Sequence, residues 1–353
     1  MFSMEKKIKE GQVYIIAEMS ANHGGSLGRA RKIIQAAAAA GADCVKVQAY
    51  TADTITAPGD PEIFGIREGL WAGQTLYDLY NRAATPWEWL PGLQEECSQC
   101  GVDFLATPFD ATAVDCLEKV GCGAYKIASF ELVDISLIGY AARRGKPMIL
   151  SCGMASPEEI ASAVDACRRE GNDRIVLLKC CSEYPAPWAH MNLRNIPDMQ
   201  RRFGLPVGLS DHSPGDVAAI AAVALGACVV EKHFMLEDGV GEDAAFSMKP
   251  AQFARMVRQI RAVTQALGGP DYSLSDSERD SLRYRRSLFT ACDIRAGQTV
   301  RATDLCSLRP ACGMSPAWLS RLIGCRARRD LPQWTPVRLE DLIFPQGTEE
   351  NVP

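Results

Sequence analysis

Short, nearly continuous apolar runs, each stopping at a polar cluster, alternate along most of this chain with stretches of helical spacing. Residues 13–18, 43–48, 102–110, 124–129, 147–151, 174–180, 207–212 and 229–234 are too short for buried helices. They read as strands covered on both faces. The stretches between them predict helices over 26–40, 86–99, 111–119, 135–144, 157–169, 193–203, 216–226 and 250–267. Ser26 stands as an N-cap, Gly41 as a stop, and Pro157 in a favoured first turn. Eight strand–helix units in roughly 265 residues have the rhythm of a (β/α)8 TIM barrel. A doubly wound open sheet would carry a glycine fingerprint after its first strand, and residues 18–25 are not one. One connection, 49–85, is far longer than the others and ends rich in aromatics; such excursions are usually functional.

The pattern changes after the eighth unit. Residues 273–286 are polar and read as a linker, and from 287 onward short β runs alternate with turns. Residues 293–305 align without gaps on 330–342, which predicts a small β-rich domain with pseudo-two-fold halves over 287–345, followed by a tail over 346–353. The barrel is expected to occupy 1–272.

Composition narrows the class. In 353 residues, 47% hydrophobic and 23% charged content fit a globular protein, and no apolar run is long enough to span a membrane. A net charge of −5 argues against a nucleic-acid partner. The first residues carry no secretory pattern, so the expected location is cytoplasmic and the 14 cysteines are read as reduced, mostly core thiols. Cys97 and Cys100 form a single C-x-x-C within a helical pattern, a weak signal for metal or redox work.

In a barrel the active site lies at the carboxyl ends of the strands. That rule selects Glu18, Lys46 with Gln48, Thr107, Lys126 with Ser129, Ser151, Ser182 with Tyr184, Ser210 with His212, and Glu231 with His233. Two lysines inside apolar strands are costly without partners. Ringed by the hydroxyls of Thr107, Ser129, Ser151 and Ser210, they would cradle a small ligand carrying phosphate and carboxylate. His212 and His233, two of only four histidines, sit at the ends of adjacent strands. They are either a pair of metal ligands or two hydrogen-bonded loop residues.

The motifs that carry this site resemble, in order, those of the sialic acid (nonulosonic acid) synthase family. They are residues 16–25, Lys46-Val47-Gln48, Thr107-Pro108-Phe109, residues 125–129, Ser151-Cys152-Gly153-Met154, Tyr184-Pro185, residues 208–212 and Glu231-Lys232-His233-Phe234. The C-terminal segment resembles that family's antifreeze-like (SAF) domain. Residues 69–80 and 243–247 are more similar to a branch acting on a diacetamido sugar than to the N-acetylneuraminate branch.

The resemblance implies a transferase that condenses phosphoenolpyruvate with an open-chain amino sugar and releases phosphate by C–O cleavage. A divalent ion, Mn²⁺ or Mg²⁺, would sit on His212 and His233. Glu18, Lys46, Lys126 and Glu131 would join the histidines in catalysis, with Lys46, Lys126, Thr107, Ser129, Ser151 and Ser210 holding phosphoenolpyruvate and Ser182 a further substrate-binding residue. Gln48, Gln74, Tyr184 and Asp243 would contact substrate polar groups. Arg309, from the SAF domain of a partner subunit, would bind the sugar's N-acyl carbonyl in a domain-swapped homodimer. A metal-dependent aldolase or isomerase on the same barrel, and a catalytically silent carbohydrate-binding relative, are the competing readings.

Several residues depart from the family pattern: Ala311 and Cys312 after Arg309-Pro310, Trp334 at a position expected to be glycine, Glu242 before Asp243, Cys152 and Glu183.

Overall fold

Eight strands, β1 (Tyr14–Glu18), β2 (Cys44–Ala49), β3 (Asp103–Pro108), β4 (Tyr125–Ile127), β5 (Met148–Ser151), β6 (Ile175–Cys180), β7 (Val207–Asp211) and β8 (Val229–His233), close in sequence order into one barrel. All eight pairings are parallel, and β8 returns to β1 with Glu18 level with His233. The computed structural model describes residues 2–237 and 240–345; the tail expected over 346–353 lies outside them. The chain divides into two units, residues 1–268 and 269–353.

Strand side chains alternate between two cores, as period two demands. Tyr14, Ile16, Cys44, Leu105, Ile149 and Leu178 form the barrel interior. Their neighbours Ile15, Val45, Phe104, Leu150 and Leu177 face outward into the larger core shared with the helices. Because both faces are covered, the strands read as unbroken apolar runs. The inward parity continues up each strand, so the next inward positions are Glu18, Lys46, Thr107, Ser151 and Cys180.

The other end of the barrel is closed by a helix that the hydrophobic pattern does not reveal, Met4–Lys9. Met4 is fully buried in the interior core with Phe2 and Ile8 beside it. The Ser3 amide (2.8 Å) and the Tyr14 hydroxyl (2.7 Å) both donate to Asp103 Oδ2 at the start of β3. The carboxyl ends of the strands are the open mouth.

The excursion 49–85 contains three short helices, Ala52–Ile55, Pro61–Phe64 and Leu76–Ala83. Local capping builds them: Asp60 and Thr75 accept from the first-turn amides of Glu62 and Asp78. No helix among the described residues is long and apolar enough to cross a membrane.

The second unit has its own core around Leu288, Ile294, Val300, Leu322, Leu331 and Val337. Its strands pair as β9 (Ser287–Thr290) with β10 (Leu305–Leu308) and β11 (Arg326–Ala327) with β12 (Leu342–Ile343). Ile294 and Leu331 exchange reciprocal backbone hydrogen bonds of 2.8 Å. Asp304 and Asp341 each fold back on the amide three residues earlier, of Arg301 and Arg338, at 2.9 Å. These equivalent contacts in the two repeats are those of pseudo-two-fold halves. Trp334 takes the place of Gly297 in the second half and keeps its left-handed backbone, φ 67° against 77°. Residues 273–286, read as linker, hold a helix, Asp276–Ser281, nucleated by a Ser275/Glu278 capping box.

Candidate active site

Lys46, buried inside the barrel, is shared by two carboxylates. Its Nζ lies 2.6 Å from Glu18 Oε2 and 3.4 Å from Glu231 Oε1, and it donates to Thr107 Oγ1 at 3.1 Å. Ser210 Oγ donates to the same Glu231 oxygen at 3.3 Å. Burial lifts the Glu18 carboxyl to about 7 against the pull of Lys46, with Glu231 adding repulsion. Burial also opposes ionisation of Glu231, but Lys126, Lys46 and His212 together draw it below the usual carboxylate range. The two acids are thereby split into one that stays ionised and one that can exchange a proton near neutrality.

Lys126 is equally buried but differs in its partners. Its Nζ donates to Ser151 Oγ at 2.6 Å and to Ile127 O at 2.9 Å, and it forms no ion pair among the described residues. Burial draws its pKa down. Above it, Ser129 Oγ accepts from the Gly153 amide at 3.1 Å. A Cβ on Gly153 would meet Ser182 Oγ at 2.2 Å and Ser129 Oγ at 2.8 Å. An ammonium, hydroxyls and an amide thus converge where only glycine fits, which is the donor set an anionic oxygen cluster needs.

Glu131, on the turn Ser129–Glu131 that follows β4, has a buried Oε2 without a hydrogen-bond partner. Burial raises its carboxyl from the ordinary 4.5 to about 7, outweighing its own backbone amide and Lys126. Between those two pH values the folded protein holds a proton that the unfolded chain has lost, so stability falls as pH rises through the window. Glu131→Gln is neutral throughout and lacks this fall. Denaturant melts at pH 5 and pH 8 should show wild type losing on the order of 2 kcal/mol relative to the variant; parallel profiles would contradict it.

The imidazoles of His212 and His233 meet at the mouth with ring centroids 5.3 Å apart. His212 Nδ1 lies 2.9 Å from the Cys181 carbonyl, which only accepts, so this nitrogen carries a hydrogen; against burial, the Cys180 thiol and that carbonyl raise the ring's pKa, so a metal on Nε2 would have to displace its proton. His233 Nδ1 is buried with no hydrogen-bond partner, 3.8 Å from Asp243 Oδ2. Burial, then the charge of His212, pushes His233 well below the ordinary imidazole range, so it is neutral. Two imidazoles, one neutral and one that would give up a proton on binding, in a carboxylate-lined mouth suit a divalent ion. Among the described residues no third His, Cys, Asp or Glu converges with them on one point.

Aromatic rings wall this end. Tyr184 stacks 4.3 Å from His212, and Phe246 sits 4.8 Å from His233 and 5.1 Å from Tyr184. Gln48 is half-buried at the end of β2, level with Thr107. Gln74 stands apart. It accepts from Arg82, whose Nε donates to Glu242 Oε1 at 3.1 Å, and it lines a groove of about 660 Å³ with Trp71, Glu242 and Lys249. The charge of Glu242 is thus engaged by Arg82. Glu183 pairs with His190 at 2.8 Å, and Cys152 is buried.

Arg309 is exposed on the second unit. The following loop is held by Ser287, whose hydroxyl donates to Pro310 O at 2.7 Å and accepts from the Cys312 and Gly313 amides at 3.3 and 3.1 Å. Two participants lie outside the expected set. Phe246 carries no polar signal in the sequence. Cys180, whose Sγ is 3.9 Å from His212 Nδ1, has its thiol drawn to about 7; burial opposes this, but the His212 contact prevails.

Comparison with known proteins agrees with this architecture. The NeuB family model matches residues 33–272. Pseudaminic acid synthase of Campylobacter jejuni serotype O:2 is 40% identical over 331 residues, spanning 94% of this chain and 95% of that protein. Pseudaminic acid synthase of Helicobacter pylori is 38% identical, over 93% of this chain and 97% of its own length. The crystal structure of N-acetylneuraminic acid synthetase from Leptospira borgpetersenii in complex with citrate superposes with a TM-score of 0.68 at 32% identity, covering 76% of this chain and 90% of that one. With a family match over most of its barrel and similarity to such relatives over nearly its full length, this chain belongs to the NeuB family, the sialic acid synthases.

Proposed function

We infer that this chain is a pseudaminic acid synthase. It condenses phosphoenolpyruvate with the open-chain aldehyde of 2,4-diacetamido-2,4,6-trideoxy-L-altrose and water, giving a nine-carbon nonulosonic acid and phosphate. The observation that carries the chemistry is the pairing, at one barrel mouth, of an ammonium without a carboxylate partner in a hydroxyl cradle with two imidazoles whose centroids are 5.3 Å apart. The branch rests on the similarity to the Campylobacter and Helicobacter proteins.

Lys126, Ser129, Ser151 and Ser182 hold the phosphate, and Lys46, Thr107 and Ser210 the carboxylate end. The enol carbon of phosphoenolpyruvate forms the new C–C bond to the aldehyde carbon, and water adds to the cationic carbon left behind. The tetrahedral carbon then expels phosphate by breaking its C–O bond. Glu18, held near neutrality, positions the water and takes its proton, while Glu131 serves as a second acid beside the phosphate. His212 and His233 would hold Mn²⁺ or Mg²⁺, which as a Lewis acid polarises the aldehyde oxygen. Tyr184, Asp243 and Gln48 contact the sugar at the mouth, and Gln74 would reach it from the adjoining groove with Trp71.

The test is phosphate release by metal-loaded protein with this sugar, its legionaminic counterpart and N-acetylmannosamine in parallel, with product masses recorded. Turnover with the altrose derivative is expected. A site that pairs the second amide should reject N-acetylmannosamine by up to ~10⁴-fold, whereas an apolar contact would give only ~10 to 200-fold. Preference for another sugar would move the branch, and release with none would favour the silent relative.

We assign the second unit as a SAF domain whose Arg309 serves the partner's site in a homodimer. Arg309→Ala and His233→Ala would then be inactive alone but active when co-expressed, because half the dimers are mixed and each mixed dimer has one intact site. About a quarter of wild-type activity is expected. Mixed dimers that stay inactive, or a fully active monomer, would remove the swap.

A further inference from the structure

The loop that leaves β8 and returns at Met248 carries both Asp243 and Phe246 to His233. One buried amide from the opposite side of the barrel seam holds its two ends together. Asn22, on the turn Ser20–His23 after β1, is 2% exposed. Its Nδ2 donates to Phe234 O at 3.0 Å, where the loop begins, and to Ser247 Oγ at 2.8 Å, where it ends. Ser247 Oγ in turn donates to Asp243 O at 2.7 Å. Asp243 Oδ2 accepts from the Ala21 amide at 3.4 Å and faces His233 Nδ1 at 3.8 Å.

The crown of the loop leans on the same turn. Gly241, with φ 94°, approaches so closely that a Cβ there would lie 2.4 Å from Asn22 Cα, and a Cβ on Gly24 would lie 2.9 Å from Val240 Cγ1. The backbone bonds Met235 N to Met248 O (3.0 Å) and Met248 N to His233 O (2.8 Å) also join the loop's ends.

We propose that Asn22 is a positioning residue that clasps the β8 loop shut, fixing Asp243 and Phe246 against His233 and so setting the sugar end of the site. An asparagine suits the task because one nitrogen brings two donors. Aspartate would bring none and would add a buried charge near Asp243. The proposal rests on the synthase reading for its kinetic consequences but not for its structural ones.

Hydrogen exchange separates the two. In Asn22→Ala the Met235 and Met248 amides should exchange at least ~10-fold faster, whatever the protein's activity. Mn²⁺ affinity of the metal-free protein, measured by electron paramagnetic resonance, should fall ~10-fold or more, as supporting-shell changes do. The sugar KM should rise by a similar factor while the phosphoenolpyruvate KM stays within about twofold.

Ser247→Ala removes one of the two clasp bonds and should show the same pattern at smaller amplitude. Combined with Asn22→Ala it should add less than its effect alone, because the two changes share the Asn22–Ser247 bond and differ only in the Ser247–Asp243 one. Gly241→Ala, which pushes the crown off the turn, should reproduce the pattern and keeps the proposal testable if Asn22→Ala folds poorly. Unchanged exchange at Met235 and Met248 in Asn22→Ala would overturn the clasp. So would equal rises in both KM values, which mark a general structural role. A wild type with no turnover but with the exchange change intact would sink the synthase reading alone.

Discussion

Replacing Lys126 by methionine should lower kcat/KM for phosphoenolpyruvate by roughly 10³-fold while leaving the protein about as stable as wild type. The activity loss follows from removing a buried, preorganised cation aimed at substrate charge. The stability result follows from what the ammonium lacks. Lys126 is held by a hydroxyl and a carbonyl but by no carboxylate, and burial weakens its charged form. Its removal breaks no ion pair: Glu231 loses the Lys126 charge that helps to hold it ionised but keeps Lys46 at 3.4 Å. A change within ~1 kcal/mol is expected for a side chain of similar length. Lys46→Met should behave oppositely, since it strands Glu18 and Glu231 inside the barrel at a cost of ~3 to 5 kcal/mol. Thermal melts with and without phosphoenolpyruvate decide the matter. Wild type should be stabilised by the ligand and Lys126→Met should not; equal destabilisation by both substitutions would refute the distinction.

That distinction could not be read from the sequence, although both lysines could. Each stands out because it interrupts a run that must be apolar to lie between barrel interior and helices. The same logic exposes Glu18, Ser151, Ser210 and Glu231 as polar ends of buried strands. Which lysine is paired depends on contacts across the barrel. Glu231 on β8 reaches past β1 to Lys46 on β2, and sequence offers only the period-two face, not the neighbour. Lys232 shows the limit from the other side. One residue from Glu231, it faces outward, fully buried, and pairs with Asp211 at 2.7 Å. Its motif looks the same, but its partner lies on the other face of the barrel wall.

Helix starts were legible where a cap or a first-turn proline stood before an apolar stripe, as at Ser26 and Pro157. The same signal, Ser275 with Glu278, was present in the linker and builds a helix there without any apolar face. The helix Met4–Lys9 has no such signal; packing of Met4 on the interior core holds it. In the excursion 49–85, four-residue helices are too short for periodicity to register. The loop after β8 is the plainest gap. Asp243 announces itself as a carboxylate, but Phe246 and Asn22 owe their places to contacts between loops more than 200 residues apart.

Replacing His233 by asparagine should abolish Mn²⁺ binding and lower turnover at least ~10³-fold without unfolding the protein. The imidazole contributes little to the fold. Its Nδ1 has no hydrogen-bond partner among the described residues, the Asp243 carboxylate is 3.8 Å away, and its ring meets Phe246 edge-on. A buried nitrogen left unpaired normally costs about 1 to 3 kcal/mol, so retaining it needs a ligand that repays the cost in the working protein. Asparagine keeps a polar group of smaller size and should shift stability by no more than ~1 to 2 kcal/mol.

His212 differs because its Nδ1 hydrogen is already used by the Cys181 carbonyl, and His212→Asn should lose stability as well as metal. If the two imidazoles act on one ion, the double variant is no less active than either single one, since removing the first already empties the site. Chelation of wild type should reproduce the same floor, and added Mn²⁺ should restore wild type but neither variant. Mn²⁺ titrations by electron paramagnetic resonance provide the readout independent of turnover. Binding by His233→Asn with wild-type affinity would show that the free nitrogen belongs to something other than a metal. Multiplicative losses in the double variant would show that the two histidines serve separate tasks.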